Sequence, residues 1–175
     1  ENRKKDQYEP CNKCESCKEI NGGMSLDIIE IDAASNRGID EIRALRDKVR
    51  FAPSKGKYKV FIIDEVHMLT REAFNALLKT LEEPPKHAVF ILATTELHKV
   101  PETIVSRTQQ FDFRLHKYTD IFDRLKYISK QEKISIDDES LKIITNASRG
   151  GLRDAISLLD QVSSVSRKIE EKTTR

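Results

Sequence analysis

Apolar residues recur along this chain with two periods, and the change from one to the other divides it. Up to about residue 113, short apolar runs alternate with stretches of helical spacing; beyond about 117 only the helical period remains. LDIIEID (26–32), KVFIIDE (59–65), AVFILATT (88–95) and QQFDF (109–113) read as strands, the middle two so continuously apolar that burial on both faces is expected. Between the first two, Ile39, Ile42, Leu45 and Val49 recur at helical spacing with charges between them, and Phe51-Ala52-Pro53 ends the pattern. Arg71 to Glu83 carries Phe74, Leu77, Leu78 and Leu81 on one stripe and stops at Pro84-Pro85, because proline cannot continue the hydrogen-bond ladder. Strand and helix in alternation predict an α/β fold, a parallel sheet covered by helices.

The helical remainder predicts a small three-helix domain. Thr119 is placed to cap a helix carrying Ile121, Phe122, Leu125 and Ile128, and Asp137 or Asp138 one carrying Leu141, Ile144 and Ala147. Gly150-Gly151 then breaks the chain before a third stripe of Leu152, Ile156, Leu159 and Val162.

Composition narrows the class without choosing the function. In 175 residues, 38% are hydrophobic and 34% charged, as in a globular domain with a real core. Thirty-one Lys and Arg against 29 Asp and Glu argue neither for nor against nucleic acid, so local patches must decide. No apolar run reaches the roughly 18 residues that span a bilayer, and ENRKKDQYEP is too polar for a signal peptide; a cytoplasmic protein is expected. Three cysteines in seven residues, Cys11, Cys14 and Cys17, suit a reduced compartment better than a disulfide framework.

The apolar run FIIDEVH ends in two adjacent carboxylates, Asp64 and Glu65, where a helix follows. At the carboxyl end of a parallel strand, an aspartate can hold a hydrated magnesium ion and the next glutamate can orient or deprotonate water for attack on a γ-phosphate. The plainer reading is that two carboxylates close a buried strand and begin a solvated turn. His67 reads as a partly buried turn residue, since no second histidine is near enough to share a metal.

The block IIDEVHMLTREAFNALLKTLEEPPKHAVFILATTELHKVPETIVSR, with DIIEIDAASNRGIDEIRALRDKVRFAPSKGKYKV before it and GGLRDAISLLDQ after it, resembles the gamma/tau subunits of the bacterial DNA polymerase III clamp loader, a family of AAA+ ATPases. The likeness covers roughly residues 10 to 165. It implies an AAA+ sheet followed by a helical lid, in an enzyme that uses ATP to load a sliding clamp on primed DNA beside the DNA-directed DNA polymerase. Asp64 and Glu65 correspond to the Walker B pair, Thr95 to sensor 1 with Thr94 as the neighbouring alternative, Arg107 to the arginine finger serving the adjoining subunit's ATP, and Arg153 to sensor 2 of the lid. The family usually has cysteine after the finger arginine; Thr108 stands there in this chain. The implied partners are the delta and delta prime subunits, further gamma/tau copies, the sliding clamp and primed DNA, with no membrane.

An ATPase of this kind also needs the phosphate loop G-x-x-x-x-G-K-[ST]. The chain's one Gly-Lys pair, Gly56-Lys57, has Phe51 and Tyr58 where the motif requires Gly and Ser or Thr. The expectation is therefore a fragment downstream of Walker A, lacking the sheet's first strand, weak in ATP binding and inactive alone. Expected divisions are a partial zinc module (1–25) inserted in the AAA+ domain, the α/β core (26–115), the lid (116–167) and a polar tail (168–175).

Cys11, Cys14 and Cys17 in CNKCESC let several thiolates converge on one ion, but structural zinc takes four ligands. By resemblance the site is structural zinc, with a fourth cysteine expected upstream; free thiols are the alternative. Residues 43 to 59 hold Arg43, Arg46, Lys48, Arg50, Lys55, Lys57 and Lys59 against Asp47, either a phosphate-contacting patch, to which Ser35-Asn36-Arg37 could add, or a solvated helix face. Three other functions are weighed. A non-catalytic delta prime-like subunit fits less well with an intact Asp64-Glu65. A DExH helicase needs a second RecA-like domain, for which the helical residues after Phe113 are too few. The third is a non-enzymatic binding module.

Overall fold

In the computed structural model, residues 9–165 and 168–169 are described. Contacts divide the chain between Gln110 and Phe111 into two compact units. The first holds helix α1 (Glu15–Asn21), strand β1 (Ile28–Asp32), helix α2 (Ile39–Val49), strand β2 (Lys59–Asp64), helix α3 (Arg71–Glu82), strand β3 (Ala88–Leu92) and the short helix α4 (Glu102–Val105). Its strands pair in parallel in the order β1-β2-β3, with Asp32 opposite Asp64 and Phe61 opposite Phe90.

That order decides which face is covered. A right-handed crossover puts its helix on one side of the sheet, and two successive crossovers in the same direction put both helices on the same side. Accordingly α2 and α3 enclose the face bearing Phe61 and Ile63, both fully buried, with Ile42, Leu45, Phe74 and Leu77. The expectation that β3 is buried on both faces is corrected: Val89 and Ile91 are 38% and 48% exposed.

The expected fourth strand at 109–113 does not form; these residues carry no ladder hydrogen bonds, and Phe111 and Phe113 are 70% and 96% exposed. A strand is defined by a partner, and no described residue lies along the outer edge of β3 to supply one. The third strand also ends at Leu92 rather than 95, although Ala93 N–H still donates to Ile63 at 2.9 Å.

The second unit holds α5 (Tyr118–Gln131), the bridge strand β4 (Ser135–Ile136), α6 (Asp138–Ala147), α7 (Leu152–Val165) and β5 (Lys168–Ile169), which pairs in parallel with β4. Its core is Ile121, Leu125, Leu141, Ile144, Ala155 and Leu159. Asp137 caps α6 by accepting from Ser140 N–H at 2.7 Å. The cap expected of Thr119 is corrected, because α5 begins at Tyr118, two residues earlier than that cap implies, with Lys117 at the cap position. Gly150, at φ 91°, turns the chain into α7, and any side chain there would meet Leu115 Cβ at 2.9 Å. Of the expected polar tail, residues 170–175 lie outside those described.

Candidate functional site

The carboxyl ends of β2 and β3 bring the acidic pair and the threonines together. Asp64 closes β2, exposed, and its Oδ1 accepts from the N–H of Glu65 at 2.9 Å. Glu65 lies in the left-handed region at φ 47° and ψ 43°, a conformation that non-glycine residues adopt rarely and at a cost. The turn is held from both sides: Val66 N–H donates to Ala93 at 2.9 Å, and Val66–Met68 forms one 3₁₀ turn before Thr70 caps α3 by accepting from Ala73 N–H at 3.2 Å. This reversal carries the Glu65 carboxylate to β3, where Thr95 Oγ1 donates to Glu65 Oε2 at 3.3 Å.

His67 completes the cluster. Its ring is 7% exposed, with Nδ1 3.0 Å from Thr94 Oγ1 and 3.3 Å from Glu65 Oε2, and Nε2 3.1 Å from Glu96 Oε2. Thr94 Oγ1 also accepts from Glu96 N–H at 3.0 Å, so Thr94 is tied into the turn while Thr95 faces the catalytic carboxylate candidate. Lys99, donating to Glu96 at 2.7 Å, holds the Glu96 carboxyl below its usual range, with His67 and His98 adding to the effect. Asp32, beside Asp64 in register, is turned to its own loop: Ser35 Oγ and Ala34 N–H donate to it at 2.7 and 2.8 Å and lower its pKa.

Arg107 is not part of this cluster. Arg107 Nη2 donates to Glu82 Oε1 at 2.6 Å and its Nη1 to the Thr103 carbonyl at 2.7 Å, which fixes the guanidinium between the end of α3 and α4. Arg153 is exposed in the first turn of α7, in the second unit.

Cys11, Cys14 and Cys17 converge, their sulfurs all within 4.8 Å of one another. Two thiolates on one zinc, each at about 2.3 Å with a tetrahedral angle, sit about 3.8 Å apart, and Cys11 and Cys17 are 3.8 Å apart. The donor set therefore fits three corners of a zinc site. Backbone N–H groups of Lys13 and Cys14 lower the Cys11 thiol to about 6, while Cys14 pushes Cys17 up. The seven-residue α1 that carries Cys17 buries nothing and is anchored by Lys55, whose Nζ lies 2.5 Å from Glu19 and 3.6 Å from Glu15.

The Gly56-Lys57 segment, which fails as a phosphate loop by sequence, does cradle an anion of the chain itself. Ser54, Lys55 and Gly56 donate backbone N–H groups to the Asp27 carboxylate at 2.5, 2.9 and 2.7 Å. Burial acts to raise the Asp27 pKa, but these three bonds and nearby Lys59 outweigh it and the net shift is downward. Of the basic stretch, Lys55 is spent on α1 and Arg43 pairs with Asp40 at 3.1 Å.

Sequence reading missed the link from His67 to Glu96. His67 does lie in a turn, but beside Glu65 its partners Thr94 and Glu96 sit 27 and 29 residues away, and only the histidine beside the acidic pair hinted at them.

A parallel sheet covered by helices, with a separate helical unit after it, is the architecture of the AAA+ class. The fold is shared with the Thermotoga maritima RuvB Holliday junction branch migration motor, at TM-score 0.69 and 17% identity over 90% of this chain and 53% of that one. It is also shared with a Thermotoga maritima protein described as DNA polymerase III gamma subunit-related, at TM-score 0.52 and 24% identity over 89% and 64%. Residues 1–117 match the family described as "DNA polymerase III, delta subunit", and residues 120–167 the "DNA polymerase III clamp loader subunit, ATPase lid domain". The chain belongs to this family of DNA polymerase III clamp-loader subunits. Among its relatives are the tau subunit of Bacillus subtilis, 60% identical over 90% of this chain and 28% of that protein, and the tau subunit of Escherichia coli, 49% identical over 87% and 24%. A gamma subunit of Buchnera aphidicola is 51% identical over 90% and 44%, so the chain spans between about a quarter and under half of these proteins. No helix among the described residues is long and apolar enough to cross a membrane.

Proposed function

We propose that this chain is part of the ATP-hydrolysing gamma/tau subunit of a DNA polymerase III clamp loader. The observation that carries the reading is the approach of Glu65, Thr95, His67 and Thr94 beside Asp64, across the ends of two adjacent strands. Asp64 would hold the magnesium ion that neutralises charge on the β- and γ-phosphates of ATP. Glu65 orients the attacking water and takes its proton, and Thr95 fixes that carboxylate. Arg107 acts on the ATP of the adjoining subunit, so hydrolysis reports assembly, and Arg153 reaches nucleotide from the lid. Cys11, Cys14 and Cys17 supply three ligands to a structural zinc.

Partners follow from the same reading: delta, delta prime and other gamma/tau copies, the sliding clamp, and primed DNA contacted through its phosphates by basic residues of 43–59 and by Ser35, Asn36 and Arg37. The cytoplasm is the site of action, within a holoenzyme whose polymerase is a nucleotidyltransferase. Without a glycine-rich loop in its 175 residues, the chain alone binds ATP weakly and does not hydrolyse it. The test is Glu65→Gln in the full-length protein assembled with its partners: turnover is expected to be lost with ATP binding retained, and unchanged turnover refutes the assignment.

A further inference from the structure

We propose that His67 is a positioning residue for hydrolysis, the brace that holds the Glu65 carboxylate and the Thr94 hydroxyl in one arrangement by anchoring both to Glu96. The inference rests on the reading of Glu65 as the water-orienting carboxylate. Glu65 itself is poorly constrained: its side chain is 37% exposed, it projects from a left-handed turn, and its bond from Thr95 is 3.3 Å long. His67 is the reverse, 7% exposed with polar partners at both ring nitrogens. A buried imidazole with both nitrogens engaged can neither flip nor rotate without leaving a polar group unpaired. Nδ1 faces Glu65 Oε2 and Thr94 Oγ1, while Nε2 faces Glu96 Oε2, a carboxylate itself fixed by Lys99 at 2.7 Å. The ring thus ties the carboxylate at one strand end to the Glu96–Lys99 ion pair beyond the other. Placement of a reacting group is worth large factors in rate, so loosening this brace lowers turnover and not substrate affinity.

The geometry makes a side-specific demand. In the full-length assembled protein, His67→Ala is expected to lower kcat at least tenfold with KM for ATP changed less than twofold. His67→Asn keeps an amide donor near the Nδ1 position and recovers more turnover than His67→Gln, which keeps one near Nε2. Equal activity of the two, or a His67→Ala turnover within twofold of wild type while Glu65→Gln abolishes it, overturns the proposal and leaves the ATPase reading intact. A second measurement does not depend on variants at position 67: the imidazole ¹⁵N resonances of wild-type His67 are expected to shift at Nδ1 on Glu65→Gln and at Nε2 on Glu96→Gln. Resonances that ignore both changes refute the brace. Were turnover itself indifferent to Glu65→Gln, the hydrolysis reading would fall, and the ¹⁵N shifts alone would then decide whether His67 grips that carboxylate.

Discussion

Arg107 donates from Nη2 to Glu82 Oε1 at 2.6 Å, so the arginine proposed to serve a neighbouring subunit is held by the last residue of α3 in its own. With Nη1 on the Thr103 carbonyl, the guanidinium has one fork occupied and is fixed in direction before any partner arrives. On the surface such a pair adds at most about 1 kcal/mol to stability. Its value lies in aim. Glu82→Ala is expected to leave the melting temperature almost unchanged while lowering ATPase in the assembled protein by up to about 100-fold, the scale of a misplaced group. Arg107→Ala costs about a thousandfold or more. Mixing either variant with wild-type subunits and measuring turnover separates damage to the neighbour's site from damage to its own.

Glu65 supplies a second prediction through its backbone. At φ 47° it occupies a region that glycine enters freely, and the strain is of the order of 1 kcal/mol. Glu65→Gly is therefore expected to raise unfolding free energy by about that amount while abolishing hydrolysis, a gain in stability at the expense of activity. Urea unfolding beside an ATPase assay checks both; a destabilised Glu65→Gly protein contradicts the strain argument.

Asp27 predicts a dependence on acid. Its folded-state carboxyl titrates below the ordinary value of 3.8, so the folded protein binds this proton less readily than the unfolded chain. The stabilisation is complete above about pH 4 and is lost as pH falls through the folded value. Asp27→Asn keeps the shape and removes the charge. It is expected to destabilise at pH 7 by about 2 kcal/mol, the scale of hydrogen bonds to a charged group, and to flatten the stability profile between about pH 5 and 2. Denaturant midpoints measured across that range provide the test.

The cysteine cluster predicts a local effect of metal. Helix α1 has no buried residue and only seven residues, too few to persist on propensity. Chelation is expected to speed amide exchange through residues 11–24 and to leave β1, β2 and β3 protected; elemental analysis is expected to find one zinc per full-length chain, and Cys14→Ser to lower it. Unchanged exchange after chelation would show that Lys55 and its carboxylates alone secure the helix.

Much of this architecture was legible in periodicity, and what escaped it has a common cause. Helices α2 and α3 and strands β1 and β2 fell where apolar spacing placed them, β3 stopped three residues short, and Asp137 was one of two caps considered. The strand at 109–113 was not real, because alternation gives a segment the pattern of a strand but not a neighbour to pair with. The bare face of β3 follows from the direction of two crossovers, which no single strand encodes. Asp27 looked like the opening of a strand; the loop that encircles it lies 27 to 29 residues on. Glu65 was legible as an acidic residue in the right place, while its left-handed backbone, and the bracing by His67, depend on where β3 ends. Local chemistry was readable; long-range contact was not.

The one-sided cover of the sheet has a practical side. With Val89 and Ile91 presented on the open face of the sheet and the outer backbone of β3 unmatched among the described residues, the first unit offers an adhesive wall to any other copy it meets. An isolated 175-residue polypeptide is expected to self-associate as it is concentrated, and Ile91→Lys to reduce that association.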